Sequence, residues 1–200
     1  PFLSNWQTTA IVGVFVSLAV FFSLGRRKQV ALLLFVLLAQ SAFLSFDYMS
    51  QKIFWQPFHM IESKDTPFGK LQVIQTREQL TLYNNSLLIY SYPDPASSEE
   101  SVHFALLQRP EARSVLLIGG GAGGSMSQIL KYPNIKADYV EIDPEIIRLS
   151  LKYLPEQEKQ SLRDERVHIH FQDGRAYLNK SHSIYDVIIL NLPDPSTAQI

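Results

Sequence analysis

The 200-residue chain has no cysteine, so a disulfide scaffold is excluded, and the absence fits either side of a membrane. Nine glycines without a collagen period and 46% apolar residues also exclude collagen-like and disordered chains. Charge is scarce at the front. Residues 1–61 carry only Arg26, Arg27, Lys28, Asp47 and Lys52, whereas residues 62–200 hold 14 basic and 18 acidic side chains, a net of −4. That balance gives no electrostatic reason to expect a nucleic-acid partner. No internal repeat is visible. The chain begins at Pro1 rather than Met and stops at Ile200, directly after a fourth strand-like run where an open parallel sheet would ordinarily continue, so it reads as a fragment.

The charge-poor front contains two uninterrupted runs, Thr8–Leu24 and Val30–Phe46, each 17 residues long. At about 1.5 Å per residue each reaches roughly 25 Å, slightly short of a hydrocarbon core of about 30 Å. Trp6 and Trp55 suit its interfaces, and Gly25–Gln29 is a tight turn, so the pair reads as a transmembrane helical hairpin with a juxtamembrane link over residues 47–58. A buried soluble hairpin is the alternative. A signal peptide is disfavoured because no positive charge precedes the first run. Arg26-Arg27-Lys28 would place the turn in the cytoplasm and export the residues after Phe46, whereas a nucleoside-using domain prefers the cytoplasm, so orientation stays open. The expectation is a multi-pass protein of the inner cell membrane, with the lipid bilayer as a partner.

Residues 59–97 read as a small β-domain. His59–Tyr92 alternates polar and apolar residues in short runs, with Asn84-Asn85 between two of them as a hairpin turn. A helix is expected from near Ser98 to before Pro110, with Glu99 and Glu100 in its first turn. Residues 98–200 then have a βαβ rhythm. Strands are expected at Ser114–Ile118, Asp138–Ile142, Val167–Phe171 and Tyr185–Leu190, and helices at Ser125–Lys131 and Pro144–Leu154. The fold class is α/β, a Rossmann-like parallel sheet with right-handed crossovers. Glu156–Arg166 alternates charges and reads as a solvated segment without chemistry.

Gly119-Gly120-Gly121-Ala122-Gly123-Gly124 comes after the first strand and opens a helix, where glycine permits a sharp turn and close approach of backbone amides to a ligand. Glu141 lies 20 residues after Gly121 at the carboxyl end of the second strand, where a carboxylate accepts from both hydroxyls of a ribose. Together they indicate a nucleoside site, against the alternative of a tight turn and a solvated acid. Asp173-Gly174 comes after the third strand at the same edge. Its carboxylate suits an adenine amino group or, equally, a helix N-cap. Asp194, between Pro193 and Pro195, overhangs the edge on a stiff loop or simply forms an Asp-Pro turn. His103 is a weak candidate base. His168 and His170 share a strand face without further metal ligands, so packing is their expected role and no metal site is expected.

The order Gly119–Gly124, Val140-Glu141-Ile142-Asp143, Asp173-Gly174 and Tyr185–Ile189 leading into Asp194-Pro195 resembles the spermidine/spermine synthase family of aminopropyltransferases, over about residues 60–200. The resemblance implies a small β-domain before a methyltransferase-like Rossmann domain. It implies a cosubstrate, decarboxylated S-adenosylmethionine, rather than a permanently bound cofactor, and a polyamine or other amine as acceptor. By similarity Glu141 would hold the ribose, Asp173 the adenine and Asp194 the cationic amine. Membrane-anchored members exist.

The chain departs from that pattern where it matters. Ala122 stands where the family's glycine loop carries an Asp, and Asn191 stands where an Asp positions or deprotonates the amine. Phe68-Gly69 replaces a Tyr-Gln pair, and a segment near Val102-His103-Phe104 replaces a Tyr-His-Glu motif. The nucleoside half is thus better preserved than the amine half. Two rival readings arise: a methyltransferase using ordinary S-adenosylmethionine, because Ala122 tolerates its carboxylate, and a catalytically silent nucleoside-binding membrane module. Oligomeric state, a homo-oligomer included, is not read from the sequence.

Overall fold

The computed structural model describes residues 11–15, 17 and 26–192, and divides into two units, Pro1–His59 and Met60–Ile200. In the first unit residues 11–15 are helical and α1 spans Arg26–Phe54. Val30, Leu34, Phe35, Leu37 and Leu38 of α1 are all exposed. Among the described residues the transmembrane hairpin expected from residues 8–46 is not found. Most of its first arm lies outside the described residues, and several side chains of α1 do too; among the described residues no helix is long and apolar enough to cross a membrane.

The second unit holds two sheets. The first, in the order β1-β2-β3-β4, comprises β1 (His59–Thr66), β2 (Gly69–Gln75), β3 (Leu80–Asn84) and β4 (Leu87–Tyr92). β2, β3 and β4 pair antiparallel, and Asn85 and Ser86, both left-handed (φ 48° and 65°), close the β3–β4 hairpin as such tight turns require. Leu71, Val73 and Leu82 bury the inner face.

The helix α2 spans Pro95–Leu106, three residues earlier than expected at its start. Asp94 is the reason: its carboxylate accepts from the Ser97 amide (3.1 Å) while Pro95 supplies a preset first turn, a stronger stop-and-start signal than Glu99 and Glu100.

The second sheet is parallel, in the order β7-β6-β5-β8. Its strands are β5 (Ser114–Ile118), β6 (Lys136–Glu141), β7 (Val167–Phe171) and β8 (Val187–Leu190). Val115, Leu116 and Leu117 of β5 are inaccessible to solvent, as a central strand covered on both faces must be. The connecting helices are α3 (Ser125–Ile129), α4 (Pro144–Tyr153), α5 (Glu156–Arg163) and α6 (Gly174–Lys180). The helix α3 is two residues shorter than expected. The charged segment expected to be solvated is in fact helical in α5, because Glu158, Ser161 and Leu162 recur at helical spacing on one buried face.

Chain order runs from β5 outward to β7 and then returns to β8 on the other side of β5. That reversal makes a topological switch point between β5 and β8, and open α/β sheets collect ligands beyond the carboxyl ends of strands at such a point. The first sheet is tied to the second along the connection after β6. Thr66 donates to Asp143 Oδ2 (2.7 Å), Tyr90 and Ser150 share a hydroxyl hydrogen bond (2.8 Å), and Glu62 accepts from Lys152 and Tyr153.

Candidate functional site

Gly119 and Gly120 leave β5 in the left-handed region (φ 71° and 63°), Gly121–Gly123 form a 3-10 turn, and Gly124 (φ 121°) starts α3. The loop is enclosed from several directions. A Cβ on Gly120 would fall 2.5 Å from Asn191 Nδ2, one on Gly121 2.8 Å from the Tyr139 ring, and one on Gly123 2.4 Å from Tyr90 Cβ. The glycines are therefore demanded by the protein's own packing as well as by any ligand. Ala122 is buried in the main apolar cluster, so its methyl group is a core contact rather than part of an exposed rim.

Glu141 ends β6 with 5% of its surface exposed. Its Oε2 accepts from the Tyr139 hydroxyl (2.9 Å) and its Oε1 from the Asp143 amide (3.2 Å). Burial pushes its pKa up, while these two hydrogen bonds pull the other way. The Ile142 amide also favours the ionised form, and a carboxylate's four or so lone-pair directions leave it room for a further donor such as a ribose hydroxyl. Tyr139 is fully buried two residues back on the same strand face. Its ring packs against Gly121 and its hydroxyl donates to Glu141, so one side chain joins the glycine turn to the carboxylate. Asp143, 1% exposed, caps α4 through the Glu145 amide (3.0 Å). Sequence reasoning missed Tyr139 and Asp143 as parts of this arrangement. The signals were present: the period-two spacing of residues 139 and 141, and an Asp directly before Pro144.

Behind the loop, Glu158 of α5 is also buried, accepts from Ser127 (3.2 Å), and has its pKa raised by burial.

Asp173 caps α6 by accepting from the Ala176 amide (2.9 Å), so the N-cap alternative is realised; the carboxylate is nonetheless exposed at the sheet edge. Gly174 seats that helix on β5, since a Cβ there would lie 2.7 Å from Ile118 Cγ2. Asn191 leaves β8 with its amide donating to Ile118 O (3.0 Å). Its Nδ2 reaches Ser125 Oγ (3.2 Å) and Gly120 O (3.5 Å), which makes the side chain a clasp across the glycine loop. His103 is held at both ring nitrogens, by Tyr132 (2.8 Å) and Gln128 (3.2 Å), and so is a packed residue joining α2 to α3 and its exit rather than a free base. His170 pairs with Asp138 (2.8 Å) on the opposite sheet face. Asp194 lies outside the described residues. Among the described residues no cluster of metal-ligating side chains occurs.

The edge therefore brings together Gly119, Gly120, Gly121, Ala122 and Gly123 with Glu141 through Tyr139, and with Asn191 through Gly120. Asp173 and Gly174 stand at the neighbouring strand end.

Residues 95–199 match the spermine/spermidine synthase domain. The chain is 31% identical over 138 residues to the polyamine aminopropyltransferase of Leptospira biflexa, covering 68% of this chain and 49% of that protein. It is 34% identical over 139 residues to that of Saccharolobus islandicus, covering 68% and 43%. Among solved structures it is similar to spermidine synthase from Thermotoga maritima (TM-score 0.62, 26% identity, 68% and 47% of the two chains) and to a spermidine synthase in complex with the transition-state analogue AdoDATO (0.63, 26%, 68% and 47%). The chain spans about half the length of the curated relatives it matches, or less. The match over residues 95–199 takes in the parallel sheet with its glycine turn and strand-end acids, and by it the chain belongs to the spermine/spermidine synthase family.

Proposed function

We propose that this chain is the nucleoside-binding part of an aminopropyltransferase, taking decarboxylated S-adenosylmethionine as donor and a polyamine as acceptor. The observation that carries the reading is the Glu141 carboxylate, buried at the sheet edge and oriented by Tyr139 and the Asp143 amide, with the glycine turn packed on the Tyr139 ring. A carboxylate so fixed meets a ribose diol without reorganising, which is the advantage of a preformed site. In this reading Asp173 faces the adenine amino group and Asp194 the cationic amine. A neutral amine attacks the carbon beside the sulfonium: a C–N bond forms, the C–S bond breaks, methylthioadenosine leaves with the electron pair, and the amine sheds a proton. The chain's contribution is to hold donor and amine in line and to exclude water.

A second reading, methyl transfer from ordinary S-adenosylmethionine, is favoured by Ala122 alone, whose buried methyl group offers no charge against a donor carboxylate. Calorimetric titration with methylthioadenosine and with both sulfonium compounds tests the pair. Binding of methylthioadenosine and preference for the decarboxylated donor support the first reading, preference for the carboxylated donor supports the second, and no heat from any of them removes both.

We further propose that the chain sits at the membrane with this unit in the cytoplasm. The exposed Val30, Leu34, Phe35, Leu37 and Leu38 support lipid contact. Recovery of the whole protein in the soluble fraction after cell lysis would overturn it.

A further inference from the structure

On the sheet face away from Glu141, four side chains from four elements close a polar knot. Asp138 of β6 accepts from His170 Nε2 of β7 (2.8 Å) and from the Tyr185 hydroxyl just before β8 (2.7 Å). Tyr185 shares a second hydrogen bond with the hydroxyl of Tyr177 on α6, and the Tyr177 ring lies 4.9 Å from that of His170. Tyr177 is the buried residue of α6, and the remaining seat of that helix is Gly174 against Ile118. The helix is short, with no buried leucine or isoleucine; the Tyr177 ring, packed with Leu116, Ile118 and Val140, and Gly174 hold it on the sheet, and the hydroxyl chain of the knot fixes where that ring sits. Asp173 is its N-cap, and moves with it.

We propose that Asp138, His170, Tyr185 and Tyr177 are positioning residues that set Asp173 against the nucleobase and thereby determine base selectivity. The proposal rests on the reading above in which Asp173 meets an adenine amino group. The knot acts through α6 alone: Glu141 and Tyr139 point to the other sheet face, and their hydrogen bonds do not pass through it. Loosening the knot should therefore blunt discrimination at the base and leave the hold on the sugar intact.

The test uses two ligands, methylthioadenosine and its hypoxanthine counterpart, which lacks the amino donor. The full chain is titrated with each, as wild type, Tyr185→Phe and Tyr177→Phe. Wild type is expected to prefer the adenine ligand by about tenfold or more, the value of one hydrogen bond to a charged acceptor. Tyr185→Phe should bring that ratio close to one through weaker adenine binding, with the hypoxanthine affinity unchanged within about twofold. Tyr177→Phe removes only the outer hydroxyl and keeps the ring, so it gives the same signature if Tyr185→Phe folds poorly. A general structural role would weaken both ligands in proportion, and that outcome, or an unchanged ratio, overturns the proposal. Wild-type binding without base preference removes the role of Asp173 and the proposal with it, while leaving the nucleoside reading in place. Binding of neither ligand by wild type ends both.

Discussion

Replacing Tyr139 by Phe removes a single oxygen from the interior and should be felt at Glu141. The hydroxyl is fully buried and donates to Glu141 Oε2. Phe fills the same space, so no cavity forms, but a buried carboxylate oxygen loses a partner. Such a loss costs about 1–3 kcal/mol. For a unit of this size 1 kcal/mol moves Tm by about 3 °C, so Tm should fall by about 3–9 °C.

The deficit should also depend on pH. Burial already holds the Glu141 pKa above 4.5, so its contribution to stability is fully present below the unfolded value and is lost as pH rises through the folded one. The Tyr139 hydrogen bond limits that loss by stabilising the ionised form. Without it the folded pKa rises further, and the gap between variant and wild type widens from pH 4.5 upward. Thermal melts at pH 4.5, 6 and 8 read this directly. A deficit under about 0.5 kcal/mol at every pH, or one that does not grow with pH, would refute the role of the hydroxyl as donor to the Glu141 carboxylate.

Gly123→Ala forces a methyl group to within 2.4 Å of Tyr90 Cβ and should destabilise the unit by about 1–3 kcal/mol in a denaturant titration, whether or not ligand is present. Asn191→Asp should raise turnover of a diamine by about a hundredfold if an acid there activates the amine, while the loss of the Nδ2 donation to Ser125 and Gly120 lowers Tm slightly; steady-state kinetics beside a thermal melt separates the two effects. Asp138, whose carboxyl is held below its usual range by hydrogen bonds from Tyr185 and His170 despite the desolvation that opposes them, gives stability that is present above about pH 4 and lost as pH falls through the lowered folded value. An Asp138→Asn variant should flatten that acid limb of the stability profile. Glu141→Ala should abolish detectable binding of methylthioadenosine by calorimetry while the variant still melts cooperatively.

The parallel sheet was legible because its strands are short apolar runs separated by helices, and Ser114–Ile118 and Val167–Phe171 begin and end where the sequence places them. Glu141 was legible from its place, 20 residues after Gly121 and at the carboxyl end of a strand. What escaped was decided by partners distant in sequence. The helix Glu156–Arg163 carries too few apolar residues to announce itself, and it forms because Glu158, Ser161 and Leu162 have an interior to face. The start of α2 turned on one Asp side chain. Asn191 reads as a vacant catalytic position on paper, yet in the fold its amide is spent on Ser125 and Gly120, 66 and 71 residues away.

The crowding around the glycine turn bears on how such chains should be sorted. Asn191, Tyr139 and Tyr90 each fill the space a side chain would need, so the turn keeps its composition for the sake of folding alone. A descendant that had given up all turnover would retain every one of those glycines under purifying selection. The motif therefore certifies architecture, and the ability to catalyse has to be judged from the acids that no neighbour obliges the chain to keep.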